Sequence, residues 1–149
     1  MSQVRALYRE GYATKYGFFY EIKAAASLQR ITGQPATLQR SITTTLGDTD
    51  IDVIVDGVYF QVKSSVSALK RQIKPPAPST DPAEWIRSMD NWIGKAKIDM
   101  VSKGLPVKIR YYVPNFLDVP QQLKDHVTRL SDGGLDIDWV SEIGFIKNW

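Results

Sequence analysis

The sequence predicts an α/β sandwich built around a mixed sheet, with elements in the order α-β-β-β-α-β and a short tail. Three observations support this fold class. Two long segments show the apolar spacing of helices, β-branched alternating runs lie between and after them, and Asp56-Gly57 marks a tight hairpin. The 149 residues suit a single domain over 1–149.

The two long helices have recognisable ends. The first is predicted over 8–31, where Gly33 provides a C-terminal stop. The second begins after Asp81, a good N-cap that is followed by Pro82 at the first helical position, and Glu84 would complete a capping box. We expect this helix to bury its regularly spaced apolar residues: Trp85, Met89, Trp92, Ile93, Ala96 and Met100.

The remaining elements are shorter. A proline-rich loop over 74–82 precedes the second helix, and a short helix is predicted over 120–130. The predicted strands are β-branched or alternating runs at 37–45, 50–55, 58–63, 107–113 and 136–140.

Composition excludes several kinds of protein. Hydrophobic residues make up 43% and charged residues 23% of the chain, which argues against disorder. With no cysteine there is neither a disulfide framework nor a thiolate metal site, and the single histidine, His126, argues against a multi-histidine zinc site. No apolar run approaches a membrane span, and the first residues lack the apolar stretch of a signal peptide. Any bound metal is therefore expected to be a hard cation held by oxygen.

The positive charge is concentrated in the middle third of the chain. Residues 63–110 carry 10 of the 19 basic side chains and only 4 of the 16 acidic ones. Such a segment suits a polyanionic partner, although a solvated helix face would have the same composition.

The hairpin at Asp56-Gly57 brings polar side chains together. A two-residue turn places Val53 opposite Phe60, and continuing the register places Asp52 opposite Gln61 and Asp50 opposite Lys63. Alternation then assigns one face to apolar residues only: Ile51, Val53, Val55, Val58, Phe60 and Val62. The other face gathers carboxylates, an amide oxygen and an ammonium group at one end.

This polar cluster suits metal-assisted phosphodiester hydrolysis. Asp52 and the Gln61 oxygen provide the ligands that Mg²⁺ prefers, and Lys63 lies where it would orient or deprotonate water, or stabilise developing negative charge. The alternative is an ordinary solvent-facing hairpin in which Asp50 and Lys63 form a weak cross-strand ion pair.

At these residues the sequence resembles the PD-(D/E)xK nuclease superfamily, which places an Asp in one strand and (D/E)-x-K in the next. Here Asp50-Ile-Asp-Val-Ile-Val-Asp-Gly57 is followed by Gln61-Val62-Lys63. The resemblance covers about 8–114 and leaves 115–149 as a C-terminal extension. It implies a restriction-endonuclease-like fold, a three-layer α/β/α sandwich with a central mixed sheet.

The resemblance also implies roles for individual residues. Asp52 corresponds to the metal-binding aspartate and Lys63 to the catalytic lysine. Gln61 stands where members usually have Glu or Asp, which weakens cation binding unless Asp50 or Asp48 restores the charge. Many members add a Glu from the first helix, and Glu21 is the candidate, on one face with Ala24, Ala25 and Leu28. The cofactor would be Mg²⁺ or Mn²⁺.

The resemblance leaves the biological setting open. DNA is the first expected substrate, and RNA, especially tRNA, is the second. The chain would be either a stand-alone nuclease, for which a homodimer is one arrangement, or the nuclease domain of a bacterial polymorphic or contact-dependent toxin. A toxin domain would be secreted within a larger protein, act in the target cytoplasm and be neutralised by an immunity protein. The rival is a non-catalytic nucleic-acid-binding protein on the same fold with a degenerate site.

Other residues are candidates for substrate contacts. Five basic side chains follow the catalytic strand or lie on the second helix: Lys70, Arg71, Lys74, Lys95 and Lys97. Tyr59 would either stack on a base or cover the sheet. His126 is expected to be a surface residue rather than a base, because neighbouring Asp125 does not face it on a helix. No membrane contact is expected.

Overall fold

The computed structural model describes residues 12–70 and 79–143, with side chains from residue 17. The helices and strands follow the predicted order: α1 (Tyr12–Thr32), β1 (Ala36–Thr44), β2 (Gly47–Val55), β3 (Val58–Val62), α2 (Val66–Leu69), α3 (Pro82–Ser102), β4 (Lys108–Asn115), α4 (Gln121–Asp132) and β5 (Asp136–Ile143). The short α2 is an addition to the prediction. The start of the first predicted helix, 8–11, and most of the proline-rich loop lie outside the described residues.

The five strands form one mixed sheet in the order β1-β2-β3-β4-β5. The first three strands are antiparallel neighbours. β4 runs parallel to β3, and β5 runs parallel to β4. Each parallel pair requires a crossover, which α3 provides between β3 and β4 and α4 provides between β4 and β5. The predicted α/β class with a mixed sheet is confirmed.

Helices cover both faces of this sheet. Consecutive strand residues alternate between two buried clusters, so that Tyr59 and Phe60, or Tyr111 and Tyr112, belong to different ones. The α1 cluster combines one face of the sheet with Ala24, Ala25 and Leu28 of α1. The α3 cluster combines the opposite face with the six predicted apolar positions of α3 and with α4. The chain is therefore an α/β sandwich.

The start of α3 departs in one detail from the prediction. Asp81 is the N-cap, and its carboxylate accepts a hydrogen bond from the Ala83 backbone N–H at 3.0 Å. The predicted capping box is wrong, because the Asp81 N–H donates to the Ser79 hydroxyl at 3.0 Å instead of to Glu84. Glu84 forms an ion pair with Arg87.

The hairpin has the predicted register near its turn, but β2 and β3 separate beyond it. The ladder consists of Val55–Val58, Ile54–Tyr59 and Val53–Phe60. If the ladder continued, the Val62 N–H would donate to a backbone carbonyl of β2. Instead, this N–H donates to the Asp52 carboxylate at 2.8 Å. The next residue, Lys63, donates its backbone N–H to Tyr112 on β4. The predicted pairs Asp52–Gln61 and Asp50–Lys63 are therefore not part of this ladder.

The prediction of one wholly apolar hairpin face is also wrong at Ile51. Val53 belongs to the α1 cluster, whereas Ile51, two residues earlier, belongs to the α3 cluster. On β1, Leu38 packs against the α1 cluster and Ile42 lies in the α3 cluster, although an even spacing should keep them on one face. We call this change of face the strand inversion. It coincides with Gln39, whose φ of +47° breaks the extended backbone.

One further expectation concerns membranes. Within residues 12–70 and 79–143, no helix combines the length and the apolar character needed to cross a bilayer.

Candidate functional site

Glu21 and Asp52 bring two carboxyl groups close enough together that each shifts the pKa of the other. Glu21 projects from the face of α1 that buries Ala24, Ala25 and Leu28, as its position in the stripe predicted. Asp52 lies on β2 at the strand inversion, where its carboxylate fills the gap between β2 and β3 and accepts the Val62 N–H. The sequence resemblance had paired these residues, and the structure brings them together.

Burial makes this carboxyl pair difficult to ionise twice. Burial, followed by the negative charge of Asp52, raises the pKa of Glu21 from 4.5 to about 8. Burial also raises the pKa of Asp52, although the Val62 N–H and the charge of Lys63 oppose the shift. Two carboxylates in one partly dry site repel each other, so at neutral pH the pair retains a proton unless a cation joins it.

Lys63 lies close enough to act on both carboxyl groups. Its positive charge lowers the pKa of Glu21 and that of Asp52, although in neither case does it offset burial. Its backbone is held by the bond to Tyr112 at the point where β3 leaves β2. The three residues that the resemblance assigned to helix, first strand and second strand thus form one electrostatic group.

Gln61 shares a cleft with Lys63, the basic member of this group. The cleft runs between β3 and α3 and is lined by Gln61, Lys63, Ala68, Leu69, Trp85, Ser88, Met89 and Tyr111. The amide oxygen of Gln61 is buried and has no hydrogen-bond partner within the described part of the chain. Buried acceptors normally have a partner, so this oxygen is a spare ligand or acceptor.

The two extra carboxylates lie on the outer surface. The Asp50 carboxylate accepts a hydrogen bond from the Ser41 hydroxyl at 2.8 Å, and its charge contributes only the smallest of the effects on Asp52. Asp48 lines a surface groove with Asp50. Of the two, Asp50 is electrostatically linked to the carboxyl pair, and Asp48 has no such link in the described structure.

The residues predicted to contact nucleic acid lie on α3 and in the segment that precedes it in the sequence. Lys70 lies over the Trp85 ring, with its ammonium 5.0 Å from the ring centroid, next to the cleft of Gln61 and Lys63. The Lys95 ammonium donates to the Asp48 carbonyl at 3.0 Å. Lys97 is exposed on α3. Arg71 and Lys74 lie outside the described residues.

Two other candidates take no part in the site. His126 on α4 contacts Asp90 on α3 at 2.6 Å, so its role is to link two helices. Tyr59 is only 1% exposed and lies in the α3 cluster, so it covers the sheet and cannot stack on a base.

Two further features of the structure are absent from the predictions made from the sequence. Gln39 donates a hydrogen bond from its side-chain amide to Glu21 at 2.8 Å, which its place in an ordinary β-branched run does not suggest. Tyr59, Asp99 and Lys103 form a second polar cluster, in which the Lys103 ammonium is 2.7 Å from the Asp99 carboxylate and Tyr59 also bonds Asp99. The i,i+4 spacing of Asp99 and Lys103 was the one available signal for it.

The donor set at the carboxyl pair consists of oxygen atoms only. Residues 12–70 and 79–143 contain no group of three His, Cys, Asp or Glu side chains arranged to hold a metal ion. Glu21 and Asp52 contribute two carboxylates, and the neighbouring Gln61 contributes the partnerless amide oxygen. An oxygen set with two buried negative charges fits a hard divalent cation, which would relieve their repulsion.

Comparison with known proteins adds no assignment to this geometry. The chain matches no family model, no curated protein and no solved structure.

Proposed function

We propose that this protein is a metal-dependent nuclease of the PD-(D/E)xK type, with a restriction-endonuclease-like core. The observation that supports it most is the convergence of Glu21 from α1, Asp52 from β2 and Lys63 from the end of β3. These residues come from three different elements, and the resemblance had named each of them. The order of the elements and the parallel pairing of β3 with β4 agree with that family's core.

Glu21, Asp52 and Gln61 would hold the cation, Mg²⁺ or Mn²⁺. When bound, it would act as a Lewis acid toward the scissile phosphate and an attacking water. The carboxyl pair suits this role because the raised pKa of Glu21 favours a bound proton. A divalent cation in the same position would neutralise more of the negative charge of the pair. The Gln61 amide oxygen adds a neutral ligand without adding a third negative charge.

Lys63 would be the residue that handles the attacking water or the developing phosphate charge. Its ammonium acts on both carboxyl groups and also lines the cleft with Gln61, so it borders both parts of the site. A cation in this position donates hydrogen bonds to a phosphate oxygen or orients a water for attack.

Nucleic acid is the substrate that the charges favour. Lys70 lies at the cleft, and Lys95 and Lys97 lie further along α3, where they would add phosphate contacts. DNA is the first choice and RNA, especially tRNA, is the second. We extend the proposal to a toxin domain that acts in a target cytoplasm and is held inactive by an immunity protein, with a stand-alone, homodimeric nuclease as the other setting.

One observation favours a second candidate, a non-catalytic nucleic-acid-binding protein. Gln61 replaces the usual acidic residue, and the described residues hold no three-carboxylate group. Such a protein would bind nucleic acid with strong salt dependence and without a cation.

Cleavage of supercoiled plasmid and of total tRNA, side by side, tests the proposal. Each substrate is incubated with Mg²⁺, with Mn²⁺ and with EDTA, using the wild type and Lys63→Ala. We expect one polymer to be cut only with a divalent cation, and the variant to be inactive. Folded wild type that retains either polymer on a filter but cuts neither with any cation would favour the binding protein.

A further inference from the structure

Gln39 has a backbone conformation that its position does not require. Among the described non-glycine residues, only Gln39 and Asp56 have a positive φ, at +47° and +51°. Asp56 needs it because both central residues of its hairpin turn have positive φ. Gln39 lies within β1, away from any turn, and an unbranched residue with a Cβ adopts this conformation at a cost. Backbone strain of this kind tends to occur at functional sites, where surrounding contacts impose it.

The strain at Gln39 coincides with the strand inversion. On one side of it, the cross-strand pair Leu38–Val53 packs toward α1. On the other side, Ile51 and Ile42 pack toward α3. An undisturbed strand would keep strict alternation, so the backbone changes face at Gln39 and Asp52, between the cross-strand pairs Leu38–Val53 and Arg40–Ile51. The inversion therefore lies at the carboxyl pair.

The side chain of Gln39 uses this position to hold Glu21. Its amide donates to Glu21 Oε2 at 2.8 Å, while Glu21 also contacts Asp52. An amide is neutral, so it fixes one carboxylate oxygen without cancelling the negative charge, which a lysine or arginine would do.

We propose that Gln39 is a positioning residue that holds the Glu21 carboxylate toward Asp52, so that the two can bind a divalent cation together. Gln39 acts through Glu21 and is not itself a ligand. The inference rests on the proposed function and assigns part of that site to a residue outside the family pattern.

Two substitutions separate the effect of the Gln39 side chain from the effect of its strained backbone. Gln39→Met keeps the length of the side chain and removes the donor. Gln39→Gly removes the side chain and relieves the positive φ, so it remains informative if Gln39→Met folds poorly. Asp56→Gly is the matched control, because it relieves the other positive φ at a turn with no contact to Glu21 in the described structure.

The primary readout is Mn²⁺ binding measured by calorimetry without nucleic acid, and the second is the Mg²⁺ concentration at half-maximal cleavage. We expect both Gln39 variants to raise the Mn²⁺ Kd and the Mg²⁺ midpoint about tenfold, as loss of a residue that orients a ligand does. The rate at saturating Mg²⁺ should stay within about twofold, and Asp56→Gly should bind as the wild type does.

A double variant tests whether Gln39 acts through Glu21. In a Glu21→Gln background, Gln39→Met should cause no further loss of Mn²⁺ affinity. A second tenfold loss there, or wild-type affinity in both Gln39 variants, would overturn the inference and leave the proposed function standing. Wild type that neither binds Mn²⁺ nor cuts nucleic acid would contradict the proposed function, and the inference with it.

Discussion

The two ends of β3 carry polar clusters of opposite character. At its start, Tyr59 contacts Asp99, and Lys103 completes an ion pair with that carboxylate at 2.7 Å. Burial opposes ionisation there, but the hydrogen bonds from Lys103 and Tyr59 prevail and lower the pKa of Asp99. At its end, burial and Asp52 raise the pKa of Glu21 to about 8. One cluster keeps its carboxylate ionised, whereas in the other burial and repulsion favour a bound proton.

The difference separates a structural cluster from a candidate site. The Asp99 cluster joins α3 to the sheet and has no spare group among its members, so it stabilises the fold. The Glu21–Asp52 pair places two buried acidic groups close together, so that ionising both costs stability, and strongly perturbed groups of this kind cluster at functional sites. The burial of a carboxylate therefore indicates a functional site only when the charges around that carboxylate are considered as well.

The same substitution at both lysines should have the most different effects on cleavage. Lys63→Met should reduce cleavage by about 10²–10⁴-fold, because it removes the group that acts on water or phosphate. Lys103→Met should leave the cleavage rate of the folded fraction unchanged, because its ammonium contacts Asp99 and Tyr59 only at the other end of β3. Rates measured with saturating Mg²⁺ test both; equal losses in the two variants would contradict the distinction.

The free energy of unfolding should show the opposite pattern to the cleavage rate, with the larger loss at the Asp99 cluster. Asp99→Asn should lower the free energy of unfolding by about 1–3 kcal/mol, because Lys103 and Tyr59 lose a charged partner. At pH 9, above the raised pKa of Glu21, Asp52→Asn should maintain or raise it in metal-free protein, because one of two repelling buried charges disappears while an amide oxygen can still accept the Val62 N–H. Denaturant unfolding in EDTA measures both, and a loss of stability in Asp52→Asn would argue against repulsion in the pair.

The two clusters should also be separable by pH. Since the folded pKa of Glu21 is raised above its ordinary 4.5, the folded state binds the extra proton between about 4.5 and 8. The metal-free protein should therefore lose stability as pH rises through that window, and Glu21→Gln should reduce the slope. The lowered pKa of Asp99 gives stability that is present above its ordinary 3.8 and lost as pH falls below it. Unfolding free energies across pH 3–9, in wild type and Glu21→Gln, check both windows.

The smallest effects belong to the flanking basic residues. Lys95→Ala and Lys97→Ala should each weaken nucleic-acid binding a few-fold, about equally for all sequences, and reduce the salt dependence by about one phosphate contact. Fluorescence anisotropy in Ca²⁺ at several salt concentrations would show this. An unchanged salt slope in both variants would remove α3 from the proposed interface.

The order of elements was predictable from local chemistry. The Asp56-Gly57 turn set the hairpin register near the turn, and Asp81 with Pro82 marked the start of α3. The apolar spacing of α3 also identified its buried face. These features depend on neighbouring residues, which sequence patterns record directly.

The parts that were wrong depend on contacts between distant segments. The alternative of a solvent-facing hairpin fails at Tyr59, because α3 covers that face and buries this residue. The strand inversion places Ile51 in the other cluster, and it coincides with the positive φ of Gln39 in a different strand. The alternation of the hairpin already pointed to Asp52 and Lys63, and the resemblance added Glu21, whereas Gln39 matches no motif and required the coordinates.

Cation-dependent thermal unfolding would show whether the Glu21–Asp52 pair binds a divalent cation. The Tm of wild type, Asp52→Asn and Asp99→Asn would be measured at pH 7.5 with EDTA and with Mn²⁺. A ligand that binds only the folded state raises its Tm, so we expect Mn²⁺ to raise the Tm of wild type and Asp99→Asn and to leave Asp52→Asn unchanged. An equal rise in Asp52→Asn, or no rise in wild type, would contradict a cation site at the Glu21–Asp52 pair.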